Sequence, residues 1–245
     1  MFQAIVDGDT TQSSSAKRVR KSVDVTVKFA GICADLKEKS DVLKDTPMLA
    51  CITGGYNIKE RLRCINELKG FGAACYVIEG FHTNGESATN LLWEDVEPVL
   101  TETLVSLPEN LPRAFHGPIT PIVLLKLVSK GIDIFDATFP WLVAERGGAL
   151  VFPNSLSKEN VPVTETLPSV KAPAVVATDQ KVAKFADDNS SDEAVDRVYE
   201  INLKDKMHNL HHYINFFKSI QQAIKDNELQ ALQSKLDLFV SSRRN

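Results

Sequence analysis

Three acids in this chain each close a short apolar run: Asp7 after "FQAIV", Glu79 after "AACYVI" and Asp136 after "GIDIF". An acid at the end of a buried strand can cap the next helix, which aspartate does well. It can also project from the carboxyl rim of a sheet built of βα units, where such folds gather their chemistry. Carboxylates converging on an open floor suit reactions at a sugar's anomeric carbon, where an acid stabilises or traps a developing oxocarbenium ion. They equally suit recognition of a purine-like edge, because a carboxylate accepts hydrogen bonds from N–H groups. Gly54, Gly55 and Gly80 stand at equivalent run ends, where missing side chains would let a flat ligand approach the backbone. A second constellation is "HNLHH", in which His208 and His212 share a helix face at i, i+4 and could hold a metal. No Glu beside the first histidine and no nearby cysteine accompanies them, so they read first as polar helix-surface residues.

The elements that must position these residues follow from periodicity. "MFQAIV" is strand-like, and the helix after it repeats Val19, Val23, Val27 and Ala30 at helical spacing. Its basic cluster, Lys17, Arg18, Arg20 and Lys21, lies largely off that stripe and reads as a solvated face. "MLACIT" is the next strand; Asn57 with Glu60 forms a capping box for a helix with Ile58, Leu62, Ile65 and Leu68 on one face. "AACYVI", "RAFH" and "IDIF" are further strands. The helical stretch "SATNLLWEDVEPVLTETLVSL" should kink or divide at Pro98. "TPIVLLKLVSK" is a helix, and "GALVF" is a sixth strand-like piece.

Strand, glycine-marked turn and helix in repetition argue for a parallel sheet of βα units. The expected organisation is βα units over 1–152, a flexible insertion rich in Pro, Ser, Thr and acids over 153–195, and a C-terminal strand with helices over 196–245. In that last part "RVYEINL" is the strand. A helix with Leu210, Tyr213, Ile214, Phe217, Ile220 and Ile224 as its stripe follows, and then a helix over "ELQALQSKLDLFV". The strands fall short of the eight that close a barrel, so an edge should be exposed at each side and the inner face left unfilled.

The 245 residues can bury a substantial core, and 43% hydrophobic with 24% charged residues is ordinary for a soluble protein. A net charge of −4 argues against wrapping nucleic acid by bulk electrostatics. Cys33, Cys51, Cys64 and Cys75 form no C-x-x-C pair and read as reduced core or surface thiols. No secretory signal opens the chain, and "PIVLLKLV" is short and interrupted by Lys126, so no membrane span is expected.

In order and approximate spacing, "VDGD", "CITGG", "VIEGFHTNGES" and "GIDIFDATFPWLVAERGG" resemble the queuine tRNA-ribosyltransferase family, and its accessory branch more than its catalytic one. "SAKRVRKSVD" and "YEINLKDK" strengthen the match. The resemblance implies an α/β fold, a partial (β/α)8 TIM barrel of C-terminal strands followed by C-terminal helices. It also implies the family's chemistry, exchange of guanine for a 7-deazaguanine base at the tRNA wobble position through a covalent carboxylate–ribose intermediate. By motif, Asp7 resembles the base-recognising aspartate, Gly54 belongs to the base-binding turn, Gly80 and Phe81 resemble the pair whose backbone faces the base, and Asp136 resembles the nucleophile.

The departures point away from turnover. Thr53 stands where the catalytic type carries Gln, and Pro140-Trp141-Leu142 replaces a Pro-Thr-Arg segment whose arginine is used on tRNA. The segment bearing the family's acid/base aspartate is missing, and so is its C-x-C-x-x-C zinc motif, which leaves His208 at the fourth ligand position without partners. Zinc belongs to the family but is not expected in this shortened chain. The implied partners are the catalytic subunit in a heterodimer, a second copy in a homodimer, and tRNA through the complex. The implied location is the cytoplasm, with peripheral association at the mitochondrial outer membrane. A non-catalytic subunit is therefore the first reading, and an autonomous glycosidase- or nucleosidase-like barrel enzyme using Asp136 and Asp7 is the alternative.

Overall fold

The computed structural model describes residues 1–8, 10–83, 85–152 and 192–242. Apart from its last four residues, the insertion expected over 153–195 lies outside the described residues. The strands are β1 (Phe2–Gln3), β2 (Met48–Ile52), β3 (Cys75–Ile78), β4 (Arg113–Phe115) and β5 (Ile134–Phe135). The helices are α1 (Ala16–Lys39), α2 (Ile58–Leu68), α3 (Trp93–Val105), α4 (Pro121–Ser129), α5 (Thr138–Glu145), α6 (Asp192–Lys225) and α7 (Leu229–Ser242), with a 3-10 turn at Glu86–Asn90. All strand pairs are parallel and the order is sequential, β1-β2-β3-β4-β5. With right-handed crossovers, an order that never reverses puts the connecting helices on a single face.

The register explains why the strands are apolar throughout. Leu49 lies opposite Cys75, Cys51 opposite Val77, and Val77 opposite Ala114. These five residues form one buried cluster with Val6 packed against it. Met48, Ala50, Ile52, Tyr76, Ile78 and Phe115 alternate to the other face and are buried as well. The expectation of an unfilled inner face therefore fails for these residues: small side chains, two of them cysteines, let that face close. Burial pushes the thiols of Cys51, Cys64 and Cys75 up, so they behave as inert core groups.

The chain forms two compact units, Met1–Ile119 with Lys126–Asp136, and Thr120–Leu125 with Ala137–Asn245. The first holds the whole sheet with α1 to α3; the second holds α5 to α7. In the first, α3 runs unbroken through Pro98, and the division expected there falls at Leu91–Leu92 instead.

Two expected strands of the second unit are absent. "RVYEINL" lies inside α6, because no Gly or Pro interrupts 192–225 to stop the helix. "GALVF" forms no strand: the Gly148 amide donates to the Val143 carbonyl at the end of α5, and the Leu150 amide donates to Asn209 Oδ1 at 2.7 Å. The stripe of α6 is also rotated from the expected one. Asn209, Tyr213, Phe216, Ile220 and Ala223 are buried, whereas Leu210, Ile214 and Ile224 are exposed. Just past the end of α6 at Lys225, Asn227 with φ of 58° supplies the left-handed turn into α7. Among the described residues no helix is long and apolar enough to cross a membrane.

Candidate functional site

The loop after β1 is held by three residues of α1 spaced four apart, hence on one helix face. Arg18 donates from both terminal nitrogens to the two carboxylate oxygens of Asp7, at 2.9 and 2.5 Å. Ser22 Oγ donates to the Asp7 carbonyl, and the Asp7 amide donates to Thr26 Oγ1 at 3.1 Å. Each polar group of Asp7 thus has its own partner. Thr53 is fully buried and bonds Thr26 Oγ1 at 3.4 Å, so its hydroxyl faces α1.

The glycines after β2 and β3 are shaped by close approach of the chain itself. Gly54 has φ +128°, and a Cβ there would lie 2.6 Å from the Arg61 amide nitrogen. A Cβ on Gly80, at φ +82°, would lie 3.2 Å from Thr10 Oγ1. The buried Thr10 hydroxyl donates to the Gly80 carbonyl at 2.7 Å, and Tyr56 Oη donates to the Phe81 carbonyl at 2.9 Å. Beneath this layer lies Arg61, with no exposed surface. Its guanidinium bonds the carbonyls of Gly55 (2.7 Å), Glu79 (2.8 Å) and Ile52 (3.4 Å) and sits 3.7 Å from the centre of the Phe81 ring. Desolvation pulls its pKa down to about 9, so it stays charged at neutral pH.

The ends of β3, β4 and β5 carry Glu79, His116 and Asp136. His116 Nδ1 lies 3.5 Å from Glu79 Oε1, and the Gly117 amide donates to Asp136 Oδ2 at 2.8 Å. The His82 Nε2 atom bonds the His116 carbonyl at 2.9 Å and fixes that backbone. The His116 pKa is raised by its hydrogen bond to Glu79 and by the charges of Glu79 and Asp136, against the opposing effect of burial. The sheet thus brings the nominated acids and glycines to one rim. Sequence reasoning missed Thr10, Arg18, Arg61 and His116. Arg18 left a signal, as the first of the polar i, i+4, i+8 series Arg18, Ser22, Thr26 beside the apolar stripe of α1, and Arg61 left another, at i+3 from Ile58 and i−4 from Ile65 on the apolar face of α2.

His208 belongs to the second unit. Its Nε2 is buried without a hydrogen-bond partner, and its ring centre lies 4.3 Å from that of His212. Burial, then the neighbouring charges of His208 and His211, lower the His212 pKa. Among the described residues no group of three or more His, Cys, Asp or Glu could hold a metal, and all four cysteines lie in the sheet unit. Two imidazoles do not make the four-ligand, thiolate-rich set that structural zinc takes, so the described residues do not fit the ion.

Sequential parallel βα units with carboxylates and glycines at the strand ends define an α/β protein of the class that gathers its ligands at the carboxyl rim of the sheet. The chain belongs to the queuine tRNA-ribosyltransferase family, whose model matches residues 2–238. It is similar to queuine tRNA-ribosyltransferase accessory subunit 2 of Aedes aegypti, 33% identical over 96% of this chain and 59% of that protein. The protein of the same name from Drosophila mojavensis is 33% identical over 95% of this chain and 58% of its own length. That from Ixodes scapularis is 39% identical over 64% of this chain and 40% of its length. The chain thus spans 59% or less of these curated relatives.

Proposed function

We propose that the chain is a non-catalytic accessory subunit that supports the catalytic subunit of queuine tRNA-ribosyltransferase in exchanging guanine for queuine at the tRNA wobble position. In this reading the sheet is a run of consecutive strands from a (β/α)8 barrel, which its unreversed order fits. Asp7, Gly54, Gly80 and Phe81 are then a base site kept in form. The observation that carries the non-catalytic role is that the carbonyls of Gly80 and Phe81 already accept hydrogen bonds from Thr10 and Tyr56. Thr53, where the catalytic type carries Gln, is turned to α1 and supports the same conclusion.

Partner contact is assigned to α6, where Met207, Leu210 and Ile214 form an exposed apolar row at i, i+3, i+7. The catalytic subunit is the partner, with tRNA reached through the complex; homodimerisation would use the same row. Stoichiometric zinc is not part of this proposal, and the places of work are the cytoplasm and the outer surface of mitochondria.

Co-purification of tagged chain with the catalytic subunit is the test, read beside incorporation of labelled guanine into cognate tRNA. The expected result is capture of the partner, weakened by Leu210→Ser with Ile214→Ser, and no incorporation by the chain alone. Incorporation that vanishes in Asp136→Asn would overturn the reading. The alternative, a nucleosidase-like hydrolase, draws on Asp136 with His116 in its field; nucleoside hydrolysis lost in the same variant would establish it.

A further inference from the structure

We propose that Arg18 occupies the Asp7 carboxylate in place of a purine's N–H donor edge and so closes this chain's base site from within. The inference rests on the base-site reading above and adds its internal occupant. A guanidinium presents two parallel N–H donors to a carboxylate, the pattern that the N1–H and 2-amino groups of a guanine-like ring also present. Arg18 makes that fork, one terminal nitrogen to each Asp7 oxygen at 2.9 and 2.5 Å. A base could bond Asp7 in that plane only after Arg18 had left it.

The geometry also argues that the pair is not what holds the loop. Asp7 is fixed through its backbone by Ser22 and Thr26, both buried, with Ser22 on its carbonyl and Thr26 on its amide. Thr10 anchors the same loop to Gly80 from the other side. The carboxylate is therefore placed whether or not Arg18 is present. The Arg18 and Asp7 side chains keep 34% and 25% of their surface exposed, so solvent screens the pair and it adds little to folding. Its consequence lies in what it excludes.

The test uses the full chain and isocytosine, which carries the donor edge of guanine without the imidazole ring, with binding followed by ligand-observed NMR and calorimetry. Wild type should show no binding at 10 mM ligand. Arg18→Ala should bind with a Kd of about 1 mM or tighter, and the gain should vanish in Arg18→Ala with Asp7→Asn. Circular dichroism and urea unfolding of Arg18→Ala and Arg18→Gln monitor folding. Wild-type binding equal to that of the variant would overturn the proposal, as would a folded Arg18→Ala that binds nothing. Failure of both variants to fold would overturn it too, by making the pair a structural strut. None of these results bears on capture of the catalytic subunit, so the accessory reading and this one fail separately.

Discussion

A guanidinium with no exposed surface must find acceptors for its N–H groups, and Arg61 finds them in carbonyls at the ends of β2 and β3. Removing it takes away the side-chain donor to the Gly55 and Glu79 carbonyls, while Ile52 keeps the bond from the Glu79 amide, and opens a space beneath Phe81. Arg61→Lys keeps the charge, but a compact ammonium cannot span three acceptors. Both Arg61→Lys and Arg61→Met should lower unfolding free energy by about 3 kcal/mol, read from urea midpoints. A loss under about 1 kcal/mol would mean that water replaces the guanidinium at these carbonyls. At this scale the nominated acids and glycines were legible because strand ends announce themselves by runs of apolar residues closed by Asp, Glu or Gly. Their partners were not. Arg18 sits in a basic cluster that periodicity assigns to solvent, Arg61 interrupts the apolar face of α2, and long side chains reach acceptors that spacing along the chain does not reveal.

Among the elements, the helices were read where apolar spacing and caps agree. Asn57 does cap α2, its Oδ1 accepting from the Glu60 amide at 3.2 Å. Two of the misses, the strand expected at 148–152 and the stripe of α6, share one cause, a backbone satisfied by a side chain from a distant segment. Asn209 has no exposed surface; its Oδ1 accepts from Leu150 N, and its Nδ2 donates to the carbonyls of Gly148 (2.9 Å) and Pro140 (3.3 Å). That is why 148–152 needs no strand partner and why the buried stripe of α6 is centred on a polar residue. Asn209→Ala should cost about 2 kcal/mol and speed amide exchange at Leu150 before it speeds exchange in α2. Unchanged exchange at Leu150 would remove Asn209 from this role. The strand-end pair of Glu79 and His116 gives a pH signature. Its raised His116 pKa means that the stability it contributes is fully present below the unfolded value of 6.5 and is lost as pH rises through the folded pKa. Glu79→Gln should therefore lower stability at pH 5.5, by about 1 kcal/mol at most, and the two melting curves should converge at pH 9. A difference that grows with pH would reverse the assignment.

At the scale of the whole molecule, the question is what orients α6 in a chain that keeps His208 but no cysteine near it in sequence. Zinc bound only by the native state stabilises it by RT ln(1 + [Zn]/Kd), about 4 kcal/mol when free zinc is a thousand times Kd. For a protein of this length that would raise the melting temperature by roughly 10 °C. The described residues offer no such site, because His208 and His212 have only imidazoles beside them and the buried thiols of the sheet unit are held protonated by desolvation. Among the described residues, packing holds α6: Phe139 lies against Tyr213, Phe152 stacks on Phe216 at 4.4 Å between ring centres, and Lys206 bridges Glu145 at 2.6 Å while lying over the Trp141 ring. Purified chain should then carry well below one zinc, and micromolar zinc or a chelator should leave its melting temperature within a degree or two. Stoichiometric zinc together with a chelator-sensitive melt, both abolished by His208→Ala, would show that ligands beyond the described residues complete a metal site after all.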